Sequence, residues 1–424
     1  MLNEGSKNKK GSYYTPQHII KKLVKNITPD MKYLDPCCGT GSFLLEVADI
    51  IDNPTNIFGY DLDKTACFIA KINLFIKFKN IKFCPNIFNE DFLTEDFKDI
   101  EFDIIATNPP WGAVPQKKYE KYFTQISSGE SFSYFITKSA NLLKSDGEMY
   151  FILPESILNV KTHKDIREFI LKNLEISKIE ILGRAFTGVL SKVAILHLKK
   201  DNQHKPITIL HEGQTKHLCT DFYKKNTNCN FTPIDNKDVE ILEKIYSQPH
   251  QKLDENSIWA IGIVTGNNAK HISTNPNGEK IYSGKNISKN LITDTDKFIL
   301  YNRKEFQQVA ADNIYRANEK LVYKFISKNL IFAYDNKQRL FLNSVNILIP
   351  KLENYNIKTV MVFLNSILFQ YIYNKKFNEL KILKGNLMEL PFPVTPPQIP
   401  NDENIFKAFN LTNEEIQYIK KEVE

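Results

Sequence analysis

Asn108-Pro109-Pro110-Trp111 places an amide, two ring-locked residues and a large aromatic face side by side, directly after the apolar run 102–107. An amino group on a nucleobase is a poor nucleophile, because its lone pair is delocalised into the ring. Carbonyl acceptors that hold both N–H bonds, here the Asn108 side chain and the Pro109 main chain, favour a more tetrahedral nitrogen whose lone pair faces an electrophile. Pro109 and Pro110 fix the loop so that the acceptors are preorganised, and Trp111 offers a π-face to a planar substrate. Four such residues alone also suit a proline-stiffened turn with a core Trp.

Three acids precede this loop. Asp35 opens Asp35-Pro36-Cys37-Cys38-Gly39-Thr40-Gly41-Ser42-Phe43, where small residues let backbone N–H groups approach a ligand. The loop is neither G-x-G-x-x-G nor a phosphate loop, and its leading acid suits an ammonium group better than phosphate. Gly39 and Gly41 equally suit a tight strand-to-helix turn. Asp61, at the end of Gly59-Tyr60-Asp61, can accept both hydroxyls of a ribose; the alternative is a helix N-cap, for which Asp63 is the better candidate. Asp91-Phe92 offers an acceptor for an adenine amino group and a ring to stack on it. An amino acid moiety, a ribose and an adenine together describe S-adenosylmethionine.

These acids need a common scaffold. Through the first two hundred residues short apolar runs alternate with helix-period segments, the pattern of an α/β domain with a largely parallel sheet. Strands are expected at 32–35, 57–61, 102–107, 149–153 and 193–198, and helices at 42–51, 65–78 and 132–144, the last stopped by Asp146-Gly147. Thr15-Pro16 reads as a helix start, with Thr15 as N-cap. Beyond 199 a polar stretch carries one strand-like run, 207–210, and a connecting helix is expected at 239–246. Irregular β structure follows, with runs at 258–265 and 329–334, then one apolar helix at 360–373. Leu390-Pro391-Phe392-Pro393 is expected to end the compact part.

The 424 residues are 42% apolar and 25% charged, which excludes a disordered or fibrous chain and allows at least two cores. With no apolar run long enough to span a bilayer and a polar, basic N-terminus, neither a membrane span nor a secretory signal is expected. The six cysteines are too sparse for a disulfide framework and read as free thiols of a cytoplasmic protein. His211, His217, Cys219 and Cys229 match no compact zinc spacing, so no metal is expected. The net charge of +7 comes almost wholly from Lys, a bias of A/T-rich genomes that is compatible with a polyanion partner without being evidence for one.

The ordered series Gly11-Ser12-Tyr13-Tyr14-Thr15-Pro16, the Asp35 to Phe43 loop, Gly59-Tyr60-Asp61, Asp91-Phe92 and Asn108 to Trp111 closely resembles the TaqI-type, or gamma-class, DNA adenine-N6 methyltransferases. Leu182 to Phe186 with Ser191-Lys192-Val193 looks like the family's later motif. In the C-terminal half, Tyr282 to Ile287, Phe341 to Ser344, Phe363 to Ser366 and Leu390 to Pro393 resemble its target-recognition domain. The resemblance implies a Rossmann-like methyltransferase domain over 1–248 and a mixed α+β recognition domain over 249–424. It assigns Thr15, Asp35, Cys37, Gly39 and Gly41 to the methionine end of S-adenosyl-L-methionine, Asp61 and Leu62 to its ribose and adenosine, and Asp91 and Phe92 to its adenine. Asn108, Pro109, Pro110 and Trp111 would hold the target adenine, with Phe186 on its other side. Trp111 departs from the usual Tyr or Phe. Lys270, Lys285 and Lys289 are candidate phosphate contacts.

The function implied is transfer of a methyl group to N6 of an adenine flipped from double-stranded DNA, in a restriction-modification system. A monomer is expected, with no fused nuclease; any cognate restriction endonuclease would be a separate chain. Protein glutamine and ribosomal RNA methyltransferases share the Asn-Pro-Pro solution but resemble only the first two hundred residues, and cytosine N4 poses the same nitrogen problem. A non-catalytic specificity subunit would not need Asp35, Asp61 and Asn108.

Overall fold

The computed structural model describes residues 15–79, 82–98, 100–112, 116–186, 191–200, 205–253 and 257–424, and the chain divides into two compact units after Asn236. The Gly11 to Tyr14 part of the first motif lies outside the described residues. In the first unit come α1 (Gln17–Leu23), β1 (Tyr33–Asp35), α2 (Ser42–Val47), β2 (Ile57–Tyr60), α3 (Lys64–Lys77), β3 (Asn86–Phe88) and β4 (Phe102–Thr107). Then follow α4 (Ser131–Leu142), β5 (Leu143–Pro154), α5 (Lys164–Asn173), β6 (Glu175–Gly183), β7 (Val193–Lys199), β8 (Ile207–His211) and β9 (Gln214–Leu218).

These strands form one sheet in the order β3-β2-β1-β4-β5-β7-β6-β8-β9. β1 to β5 pair in parallel, and β7 enters antiparallel between β5 and β6. Central strands covered on both faces need apolar side chains throughout, and Leu34, Ile105 and Phe151 are fully buried. The strand order reverses between β1 and β4. Loops leaving the two strands therefore diverge and open a crevice at their carboxyl ends.

Thr15 is not the cap of α1. Pro16 holds that position with φ −57° and ψ 136°, where its missing N–H costs nothing. Nor does Asp146-Gly147 stop a helix, because α4 ends at Leu142 and β5 runs through the pair. Pairing with β4 overrides the local turn preference there, and a register shift between Phe102↔Leu143 and Ile104↔Glu148 absorbs the extra residues. β6 and β9 were not expected.

The second unit contains α6 (Asn236–Ser247), β10 (Ile258–Ile261), β11 (Ile272–Ser273), β12 (Glu279–Tyr282), β13 (Phe298–Ile299), β14 (Lys320–Lys324), β15 (Phe332–Asp335), β16 (Leu340–Phe341) and β17 (Val345–Ile349). After these come α7 (Ile357–Asn365), α8 (Ile367–Lys376), α9 (Asp402–Ala408) and α10 (Asn413–Val423). The strands are arranged in two sheets, β10-β17-β14-β15 and β11-β13-β12-β16. The single helix expected at 360–373 is two helices. Ser366, extended at ψ 157°, caps the second by accepting from the Phe369 N–H at 3.2 Å. Leu390 to Pro393 does not end the compact part either, since α9 and α10 follow and bury Ile405, Phe406 and Ile419.

The compact units divide after Asn236, and α6 packs in the second. Its Asp238, fully buried, accepts from the Tyr371 hydroxyl at 2.8 Å and from Lys375 Nζ at 3.0 Å, both on α8.

Candidate active site

Asp35 ends β1 at 1% exposure. Its Oδ1 accepts from the Thr107 hydroxyl at 2.7 Å and from the Cys37 N–H at 3.1 Å. Burial nevertheless pushes its carboxyl up to about 7, against those two hydrogen bonds, and Asp61 adds to the rise. Gly39 and Gly41 sit at φ 52° and 91°, a conformation other L-residues rarely adopt, and they turn the chain from β1 into α2.

Asp61 is the brace of this loop. Its Oδ2 accepts from the Gly39 N–H at 2.8 Å and its Oδ1 from the Asp63 N–H at 2.8 Å. The cap of α3 is Asp63, whose Oδ1 accepts from the N–H groups of Thr65 and Ala66. Relieved of capping, Asp61 stays at the crevice, and Leu62 beside it is 68% exposed.

Asp91 is ion-paired to Lys118 and accepts from the Tyr119 hydroxyl at 3.1 Å. The pairing raises the Lys118 ammonium above its ordinary range. Phe92 lies in the core at 2% exposure, stacked on Phe135 with centroids 5.6 Å apart and planes 6° apart. Its ring has no open face for an adenine.

Beyond β4, Asn108 Nδ2 donates to the Thr15 hydroxyl at 3.3 Å, so the residue expected to cap α1 is turned to the Asn-Pro-Pro loop instead. Pro109 is buried and Pro110 exposed. The loop is pinned at its far side by Ser131 at the start of α4, whose hydroxyl donates to the Pro110 carbonyl and whose N–H donates to the Gly112 carbonyl. Trp111 Nε1 donates to the Ile152 carbonyl of β5 at 3.3 Å. The Trp111 and Phe186 rings meet edge to face, 6.1 Å apart at 80°. They touch each other rather than framing an open slot.

Thr107, Lys118, Tyr119 and Ser131 escaped the sequence reading. Thr107 reaches Asp35 through the β1–β4 register, which pairs Leu34 with Ile105 and brings the ends of the two strands together. The others act across loops, and none of the four carried a signal in the sequence.

In the second unit Lys270, Lys285 and Lys289 are exposed, and Lys289 donates to the Asn365 carbonyl at 3.0 Å. A separate cavity of about 590 Å³ gathers Lys280, Arg316, Lys337 and Arg339 with Glu279 and Asp294. Arg316 meets Glu279 through two hydrogen bonds of 2.7 Å. No helix among the described residues is long and apolar enough to cross a membrane.

The sequence matches the N-6 DNA methylase family over residues 1–286 and the TaqI-like C-terminal specificity domain over residues 279–392. It is 33% identical over 308 residues to the type II methyltransferase M.VspI of Vibrio sp. (strain 343), covering 68% of this chain and 73% of that one. With the type II methyltransferase M.HincII of Haemophilus influenzae it shares 26% over 274 residues, 61% of this chain and about half (47%) of the relative. Among solved structures, the type IIL restriction-modification enzyme MmeI in complex with DNA has the same fold, with a TM-score of 0.62 and 14% identity over 96% of this chain and 72% of that one. Fold, crevice and matches together define an S-adenosyl-L-methionine-dependent DNA methyltransferase. The chain belongs to the N-6 DNA methylase family and carries a TaqI-like specificity domain in its second unit.

Proposed function

We propose that the enzyme flips one adenine out of double-stranded DNA and methylates its N6, and that it serves as the modification enzyme of a restriction-modification system. The observation that carries this reading is Asn108. It stands at the end of β4, one residue from the Thr107 that holds Asp35, so a base amide-binder and an ammonium-binder share one crevice edge. The type II methyltransferases among its relatives support the biological role.

S-adenosyl-L-methionine supplies a methyl group on an electrophilic sulfonium. In this chain Asp35 would take its ammonium, with Thr15, Cys37, Gly39 and Gly41 around the methionine end. Asp61 would take the ribose hydroxyls, Leu62 would cover the adenosine, and Asp91 with the Phe92 main chain would meet the adenine. Asn108 and the Pro109 carbonyl would accept the two N6 hydrogens, while Pro110 keeps the loop rigid. Trp111 would stack on the base, and Phe186 would line the other side once the base parts the two rings. Held by Asn108 and the Pro109 carbonyl, N6 would present its lone pair to the methyl group that the cofactor would supply, and the surplus proton of the nitrogen would pass to solvent. Lys270, Lys285 and Lys289 would contact phosphates. The enzyme would act as a monomer in the cytoplasm, with any cognate endonuclease on another chain.

Sequencing that detects modified bases, on DNA from cells expressing the chain, tests the reading. N6-methyladenine in one sequence context is expected. N4-methylcytosine, or unmodified DNA, would overturn it.

A further inference from the structure

Helix α3 is apolar almost all round. Its inner face buries Cys67, Ala70 and Leu74 against the sheet. Its outer face carries Phe68 (63% exposed), Ile69 (38%), Ile72 (40%), Phe75 (47%) and Ile76 (68%). At 100° per residue these five fall within one arc opposite the core-facing residues; Phe75 also meets the Phe83 ring at 5.4 Å, and packing within the unit does not account for the other four. A helix hydrophobic on both faces is ordinarily covered on both, and contiguous apolar surface of this kind marks an interaction site.

The rim of the patch names the partner's charge. Lys64 and Lys71 border the stripe on one side, whereas Lys77 beyond its other edge is already ion-paired with Asp49; Lys79 and Lys82 follow, and no acid occurs in the sequence from Lys64 to Lys82. A second copy of this chain fits poorly, because a two-fold interface sets the same patch against itself and brings these basic rims together. Phe68, Ile72 and Ile76 form an i, i+4, i+8 ridge, and three of the five outer side chains are stiff β-branched Ile. Such a ridge seats in the groove of another helix.

We propose that the outer face of α3 is a docking surface for a second protein that presents an amphipathic helix whose apolar stripe is edged by Asp and Glu. The complex would place that partner on the helix that begins three residues after Asp61. The surface is independent of which base the enzyme modifies.

The test uses the full-length enzyme and two fluorescein-labelled 18-residue helical peptides, identical in their Leu stripe but edged with Glu in one and Lys in the other. The Glu peptide should bind in fluorescence anisotropy. Its affinity should fall at least about tenfold in Phe68→Ser/Ile72→Ser and in Lys64→Glu/Lys71→Glu, while both variants methylate DNA at the wild-type rate. The Lys peptide should bind only the Lys64→Glu/Lys71→Glu variant. The proposal is overturned if neither peptide binds the wild type or both bind it equally. It is also overturned if ultracentrifugation finds a dimer that Phe68→Ser/Ile72→Ser dissolves, or if the enzyme floats with phosphatidylglycerol vesicles and ignores the Glu peptide.

Discussion

The Thr107 hydroxyl donates to Oδ1 of Asp35 across 2.7 Å, so the residue immediately before Asn108 also holds the acid that opens the glycine loop. The Asn-Pro-Pro loop and the glycine loop are thereby fixed to each other at the strand-order reversal. Thr107→Val keeps the shape of the side chain and removes the donor, leaving Asp35 with the Cys37 N–H alone. Cofactor affinity should fall by roughly 1.5–3 kcal/mol, the scale of a hydrogen bond to a charged group, and Thr107→Ser should recover most of it. Isothermal calorimetry on both variants decides, and equal binding by Val and wild type would show that the hydroxyl is idle.

Asp35 also makes a pH prediction. Its carboxyl is pushed up to about 7 from an ordinary 3.8, so the folded chain keeps a proton that the unfolded chain gives up. Stability contributed by this group is full below about 4 and is lost as pH rises to about 7, a loss of roughly 4 kcal/mol at most. Asp35→Asn retains an oxygen for Thr107 and Cys37, so its melting temperature without cofactor should exceed wild type at pH 8 and match it near pH 4. An ammonium ligand prefers the ionised acid, so cofactor affinity of the wild type should climb about tenfold per pH unit from 5 to 7 and level off above. Affinity independent of pH across that range would remove Asp35 from the ammonium site.

Asn108→Ala should lower turnover by on the order of a hundredfold or more, as for other preorganised polar groups, with cofactor binding much less affected. Single-turnover methylation of duplex DNA gives the rate, and calorimetry gives the binding. Asn108 also donates to Thr15, so a variant that loses cofactor and rate together would point to a role in holding the N-terminal segment.

Asp61→Ala should weaken cofactor binding by a few kcal/mol, for two reasons that the sequence alone did not separate. The carboxylate is the proposed ribose acceptor, and it also braces the Gly39 and Asp63 N–H groups. A ligand lacking the ribose hydroxyls distinguishes them: wild type and variant should differ much less toward it if the hydroxyl contact dominates. An undiminished difference would leave Asp61 as a brace only.

Short, chemically singular stretches were legible from residue types. The parallel strand before Asn108 was read at its observed bounds, and Asp63 was correctly preferred over Asp61 as a cap. What the sequence hid was set by tertiary contact. Phe92 looked like a stacking ring for a ligand, but only the fold puts Phe135 against it. Asp146-Gly147 carries a strong turn preference, and pairing with β4 overrides it. Ser366 broke a helix that apolar periodicity alone would continue, because its hydroxyl accepts from the Phe369 N–H.

The division of the compact units after Asn236 predicts where the chain can be recombined. Asp238 on α6 is fully buried against Tyr371 and Lys375 of α8. Removing one side of a buried charge pair costs about 3–5 kcal/mol, because the other charge is left uncompensated. A chimera joined after Asn236, taking everything beyond from a relative with a different target, keeps α6 and α8 from one parent. A chimera joined after Gln248 takes them from two. The first should be the more thermostable by several degrees and should methylate the relative's sequence, since base readout is assigned to the second unit. Thermal melts of the two proteins, with sequencing of the modified sites, check both halves of the statement. Equal melting temperatures would show that α6 does not depend on its α8 partner, and retention of the original recognition sequence by the first chimera would place specificity in residues 1–236.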